Sequence, residues 1–504
     1  MKKLTILLLI LTLLFQLTAC VTPDDTSAET TEDPIPDNIP SELPGHLAEF
    51  YDPDGDTLVE FIYVEGDPST YVADSLTADI DSGDLDDADM GIIERNNRVK
   101  EYLGVTVEAF TDETLGIDQL HTLAKFYFDS QAPTLDVYVG VQYYDLSVAT
   151  SGHLLDLGTL KNYEDKPIID VDKEYWATEH IKAINPGGAT YFVTGDLSLT
   201  YAGGFYCTFV NERLYDLYVK ESYDDLTIHE LADQGRWTME TMLDMASLVY
   251  DDTDKSETPT ETDRLGIVYE PSSSLDGFAY GCNVSFSRKE TDNSGKEQMV
   301  FTLGTNENAN KLAGYLKTMT SADYACNAGA MYGNNMMPLF AAGNALFCFS
   351  LLKYGHVYLR DMEGYEILPY PKLDSDQIGY FTGLNEAVSV YGISRYSDCP
   401  RLAAATLELM ASLTRNLSIG HFYNSFIPRC RCAHPNESLI VADSFPSICR
   451  GDFAAAWGNS LGNVNQVFRD PAAYTDFSDY VKTHYPDTET KMNELLGKLE
   501  NVKK

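Results

Sequence analysis

The chain opens on a continuous apolar run, Leu4 to Phe15, behind Lys2 and Lys3, and then changes character abruptly. From about residue 21 to 50 it is rich in Thr, Pro, Asp and Glu and almost free of large apolar side chains. The apolar run is shorter than the about 20 residues that span a bilayer, so it reads as an export signal rather than a membrane helix. The polar stretch cannot bury enough surface to offset its ordering entropy and reads as a self-repelling tether of about 30 Å r.m.s. span. Beyond it the pattern turns regular. "LVEFIYVEG" (58–66) has the period of a strand. "IIERNNRVKEYLGVTVEAF" (92–110) predicts a helix stopped by Gly104 and then a strand, and "LDVYVGVQYY" (135–144) a buried strand that ends in a polar-aromatic loop. In "GRWTMETMLDMASLVYDD" (235–252), Trp237 is a core residue at a helix start. Thr238 caps that helix, and Thr241, Met242, Met245 and Leu248 form its inward stripe. "AVSVYGISRYSDCPRLAAATLELMASLT" (387–414) is a strand followed by a long helix with Leu402, Ala405, Leu409 and Leu413 inward. The repeated βα rhythm predicts an α/β protein with mostly parallel sheets, whose ligand end lies at the strand C-termini.

Length adds that one core is not enough. Of 504 residues, well over 400 follow the leader, which predicts two or more lobes. The formal net charge of −43 repels phosphate backbones, so nucleic acid is excluded as a partner. Beyond Cys20 there are eight scattered cysteines, an even number that permits disulfides in an exported protein. Cys430 and Cys432 are too close to pair with each other, although either could reach Cys399 or Cys449. Cys348, in "ALFCFSLL", reads as a small buried hydrophobe.

The end of the apolar run, Leu17-Thr18-Ala19-Cys20, resembles the bacterial lipobox. That resemblance implies a signal peptide over 1–19, lipid on Cys20, and a tether over 20–54. The body carries a second resemblance. "DVYV", "GHLLDL", "KEYW", "GATYFVTGDLSLTYAGGFYCTFVNERLYD", "GRWTMETMLDMASLVYDD", "LFAAGNALFCFSLL" and "YEILPYPKLDSDQIGYFTG" follow one another as in the extracellular sugar-type solute-binding proteins of bacterial ABC importers. It implies a type II periplasmic-binding-protein fold of two α/β lobes joined by a hinge. Residues 55–200 and 343–396 are assigned to lobe 1, and 201–342 and 397–504 to lobe 2. It further implies a monomeric protein on the extracellular face of a Gram-positive cell membrane. Such a protein binds a carbohydrate, most naturally an oligosaccharide, and delivers it to the transmembrane permease subunits.

A cleft for a neutral polar ligand needs aromatic platforms and a few polar groups on loops. Tyr143, Tyr144 and Asp145 follow the buried strand, with Gln142 beside them. Asp196, Tyr201 and Tyr206 lie near the expected first crossing between lobes. Asn385 and Glu386 sit in what resembles a binding loop, and Trp457 on a late segment that faces the cleft in such proteins. Asp252 to Asp263 spaces oxygen side chains like an EF-hand calcium loop, but with Glu257 where the turn needs Gly and a short Asp263 at its end. A polar surface loop is the better reading, weak calcium binding the other, and no cofactor is expected. No G-x-S-x-G, H-E-x-x-H or phosphate loop is present, so the chain does not read as an enzyme. The alternatives to transport are a cell-surface glycan hydrolase and a glycan-binding receptor outside transport.

Overall fold

The computed structural model of the protein describes residues 39–502 apart from 64–75, 77, 79–86, 111–116, 257, 330–335, 360, 363 and 421–443. Cys20, the leader, and Cys430 and Cys432 therefore lie outside the described residues. The strands are β1 (Thr57–Tyr63), β2 (Val105–Phe110), β3 (Val137–Val141), β4 (Tyr206–Asn211), β5 (Leu265–Tyr269), β6 (Ser287–Thr291), β7 (Glu297–Phe301), β8 (Ala325–Asn327), β9 (Ala345–Leu351), β10 (Tyr365–Leu368) and β11 (Ser389–Ile393). Six helices matter below: α1 (Asp87–Leu103), α2 (Thr178–Ile184), α3 (Met239–Val249), α4 (Ser273–Gly281), α5 (Pro400–Thr414) and α6 (Thr488–Val502).

Two mixed sheets organise the molecule. The first has the order β11-β3-β1-β2, the second β10-β4-β9-β5-β8, and β6 and β7 form a separate hairpin. In the first, β1 runs parallel to β2 and β3, while β11 returns antiparallel with Ser389 opposite Val141. In the second, β5 is parallel to β8 and β9, and β4 antiparallel to β9 and β10. Every residue of β3, β4, β5, β9 and β10 is buried, which explains their continuous apolar runs. The α3 turn-in follows its sequence chemistry. The Thr238 side chain accepts from the Thr241 N–H, and the Thr241 side chain returns to the Thr238 N–H. Trp237 is fully buried against Phe347 and donates from Nε1 to the Pro369 carbonyl at 2.9 Å. The inward stripe is Met239, Met242, Met245, Ala246 and Val249, whereas Leu248 points to solvent.

Three boundaries differ from expectation. Residues 39–54 were assigned to the tether, yet the fold already begins there. Leu43 and Leu47, the second in a short 3-10 helix over Gly45–Phe50, are buried in the core beside the first sheet. His46 donates to the buried Glu408 of α5 at 3.0 Å, and Tyr175 and Trp176 donate to the same carboxylate at 2.6 and 2.8 Å. Residues 343–396 were assigned to the first lobe, but β9 and β10 hydrogen-bond into the second sheet and only β11 into the first. Conversely α5, assigned to the second lobe, buries Ala403, Leu407, Leu409 and Met410 in the first-lobe core. A buried strand is apolar in either sheet, so its composition does not say which one it joins.

Candidate ligand-binding site

Immediately after β3, the Gln142 and Tyr143 N–H groups donate to the carbonyls of Val388 and Glu386. That stretch is itself tied to the second lobe, because the Asn385 N–H donates to the Gly204 carbonyl and the Tyr206 N–H to that of Gly383. The chain crossings thus bring Glu386 beside residues far from it in sequence.

The result is one polar cluster. Arg469 donates to Asp276 of α4 from Nε at 3.0 Å and from Nη2 at 2.5 Å, and from Nη2 to Glu386 at 3.2 Å. Gln466 donates to Glu386 at 3.3 Å, and Asn465 donates to its other oxygen. Tyr206 stacks on Tyr280 with ring centroids 5.8 Å apart, and its hydroxyl accepts from the Asn385 amide at 3.1 Å. Tyr143 donates from its hydroxyl to Asn463 at 3.0 Å. Burial pushes the Asp276 carboxyl up to about 7, and the Arg469 guanidinium pulls against that shift. Side-chain amides, hydroxyls, two carboxylates and a guanidinium among tyrosine rings make a group set suited to a hydroxylated neutral ligand.

Tyr143, Tyr206, Asn385 and Glu386 are thus brought together, while the other predicted residues go elsewhere. Asp145 is buried and accepts from the Tyr138 hydroxyl at 2.6 Å and the Val141 N–H at 2.7 Å, which clasps the end of β3. Tyr144 is half exposed and packs edge-on to Tyr143, on the rim of a different hollow lined by Phe128 and His153. Asp196 is buried against Arg415 at 2.8 Å, and burial raises its carboxyl to about 6. Tyr201 is buried edge-on to Phe205. Trp457 is 1% exposed and donates from Nε1 to the Ile184 carbonyl at 3.1 Å, so it is a packing anchor. Asp276, Asn463, Asn465, Gln466 and Arg469 did not stand out in the sequence. The amide-rich "NVNQVFR" after Trp457 was the available signal.

In the Asp252–Asp263 loop, carboxylate oxygens of Asp252, Asp254 and Asp263 lie within 4.8 Å of one another. Asp254 is held well below the usual carboxylate range by hydrogen bonds from Thr260, Ser256 and Thr262. Asp263 accepts from the N–H groups of Thr253 and Thr260 at 2.9 and 2.8 Å. Asp252 Oδ1, by contrast, is buried with no hydrogen-bond partner among the described residues. Glu257 lies outside the described residues. Among the described residues, Cys207, Cys282, Cys326, Cys348, Cys399 and Cys449 form no disulfide.

No protein-family model matches the sequence, and the search of curated proteins found no match either. Solved structures match in fold along almost their whole length. The sugar-binding protein MalE of Xanthomonas citri has a TM-score of 0.56 at 13% identity, covering 88% of this chain and 99% of that one. The galacto-N-biose-/lacto-N-biose I-binding protein of an ABC transporter of Bifidobacterium longum, in complex with lacto-N-biose, has a TM-score of 0.52 at 13% identity, covering 89% and 98%. UspC of M. tuberculosis has a TM-score of 0.50 at 12% identity, covering 86% and 100%. This chain therefore shares the α/β fold of these sugar-binding proteins, the type II periplasmic-binding fold that the sequence resemblance implied.

Proposed function

We propose that the protein is a lipid-anchored extracellular solute-binding protein that captures a carbohydrate, an oligosaccharide above all, and presents it to an ABC permease. The observation that carries this reading is the fold shared over 88–89% of the chain with two proteins described as sugar binders. The polar-aromatic cluster between the sheets supports it chemically. A ligand touching groups of both lobes favours the closed arrangement, and closure is the signal a permease would read. Attachment rests on the lipobox resemblance at Cys20, and no described helix is long and apolar enough to cross a membrane. Hydrolysis fits less well. Asp276 and Glu386 share one Arg469 side chain, so neither stands free as a proton donor or a nucleophile.

Calorimetric titration with a panel of neutral oligosaccharides is expected to give saturable binding that Arg469→Gln weakens. Binding of peptides but of no glycan would reassign the ligand class, and release of reducing ends from a polysaccharide would move the protein to the hydrolases. Cys20→Ser is expected to abolish incorporation of labelled fatty acid. Unchanged labelling would remove the anchor from the reading.

A further inference from the structure

A cavity of about 390 Å³ opens where α2 meets the segments joining the two sheets. Its size lies in the ~300–1,000 Å³ range of small-molecule sites. Trp176, His180, Tyr201 and Cys449 are buried and build its inner wall, and Arg415 and Ser447 stand on its rim. Cys449 is bridged to Thr382, which places this wall against the crossing that also leads to Asn385 and Glu386. Asp276, Glu386 and Arg469 do not line it.

We propose that this cavity is a second ligand site, separate from the Asp276–Arg469–Glu386 cluster, and that it takes a small neutral polyol. The argument starts at His180, which is 4% exposed. Its Nε2 lies 2.5 Å from the Gln142 side-chain oxygen, while the Gln142 nitrogen donates to the Ala456 carbonyl at 3.4 Å. With the amide oxygen as acceptor, the imidazole must donate from Nε2, and Nδ1 is left as a bare acceptor. Nδ1 has no hydrogen-bond partner among the described residues. Burial holds the ring's pKa down to about 4, so this acceptor persists at neutral pH. Nδ1 is not among the fully buried polar atoms that lack a partner, so it is open to the cavity that His180 lines, where a hydroxyl can donate to it in place of water.

Arg415 supplies the opposite function. Its Nη1 is committed to Asp196 at 2.8 Å and to the Glu174 carbonyl at 3.4 Å, whereas Nη2 has no partner among the described residues. Lining charges of both signs nearly cancel, so the cavity offers no strong field to an ion of either sign. Asp172, Glu174 and Glu179 oppose an anion, and Lys173 and Arg415 oppose a cation. A ligand whose hydroxyls both donate and accept, with apolar faces toward Trp176 and Tyr201, meets all of these conditions.

The test follows the His180 Nδ1 signal by NMR in protein carrying ¹⁵N-labelled histidine, with glucose, maltose and myo-inositol as probes at millimolar concentration. At least one probe is expected to shift that signal as Nδ1 accepts a hydroxyl proton. Ser447→Trp, on the exposed rim, plugs the cavity without touching the core. It should abolish the shift and weaken that binding by about tenfold or more. It should leave the thermal midpoint, and any oligosaccharide binding at the cluster between the sheets, unchanged. Three outcomes overturn the proposal: no probe moves Nδ1, the shift survives in Ser447→Trp, or glucuronate or glucosamine moves it as strongly as the neutral probes. Because Ser447→Trp separates a shift made in the cavity from one relayed through Gln142, the test decides this question even if no oligosaccharide binds between the sheets.

Discussion

Arg469 holds two carboxylates at once, and one of them, Asp276, is buried. Removing the cation while keeping the bulk, as in Arg469→Met, leaves Asp276 without its counter-charge in a poorly solvated place. Breaking a buried pair from one side costs about 3–5 kcal/mol, so the urea midpoint should fall accordingly. A loss below about 1 kcal/mol would mean that water reaches the cluster. His180 makes a prediction of a different kind. Burial lowers its pKa from 6.5 to about 4, so above pH 6.5 the ring is neutral in both folded and unfolded chains. As pH falls through 6.5 the unfolded chain takes up the proton first, and about 3 kcal/mol of stability is lost by pH 4. Asp196 and Asp276 act in the opposite sense, since their raised values favour the folded state as pH falls. The difference between the protein and His180→Gln isolates the imidazole, and the variant should lose stability less steeply between pH 7 and 4.5. Parallel curves would show that His180 is not buried as described.

At the scale of elements, the second sheet depends on how closely α3 lies on β5. A Cβ placed on Gly266 would sit 2.3 Å from the Ala246 carbonyl oxygen, a backbone atom that cannot swing away. Gly266→Ala should therefore separate helix from sheet at a cost of at least the ~1–3 kcal/mol of overpacked cores, read as a lower urea midpoint. An unchanged midpoint would show that α3 can shift freely. Trp457 tests the joint between lobes. Its side chain is buried among Ile184, Phe453 and the C-terminal segment, and α6 reaches the first lobe where the Tyr191 hydroxyl donates to the Leu499 carbonyl at 3.5 Å. Trp457→Ala should cost about 3–5 kcal/mol, the ordinary loss for a buried Trp. A selective loss of ligand binding at unchanged stability would restore Trp457 to the binding surface.

At the scale of the whole molecule, the proposed function requires the lobes to move about their crossings. Small-angle scattering should show a smaller radius of gyration on adding a bound oligosaccharide, and binding without contraction would rule out hinge closure. The sequence made much of this architecture legible. The alternation of "VTVEAF", the buried run "DVYVGV" and the capped start of α3 are local patterns, and local sterics and burial make them readable, whereas the stripe expected on α5 is absent because that helix is buried from Ala403 to Ala411 on every face. The boundaries were less legible. Averaged composition hid Leu43 and Leu47 inside an acidic stretch, and β9 and β10 carry no mark of their sheet because a strand buried on both faces is apolar in either.

The sequence by itself determined the elements, the α/β class, the abrupt change at Cys20 and the surplus of negative charge, since each depends on neighbouring residues or on a simple sum. Tertiary structure decided which polar groups meet. Asp276, Glu386 and Arg469 come from three distant segments, and only the crossings of the chain place them within hydrogen-bond reach. It also decided which predicted residues are spent on packing. Asp145 and Trp457 spend their polar atoms on backbone and packing partners, whereas Tyr143 and Glu386 spend theirs on Asn463, Gln466 and Arg469 in the polar cluster. A side chain's chemistry is set by its type, but its use is set by burial and partners, and those exist only once the chain has folded.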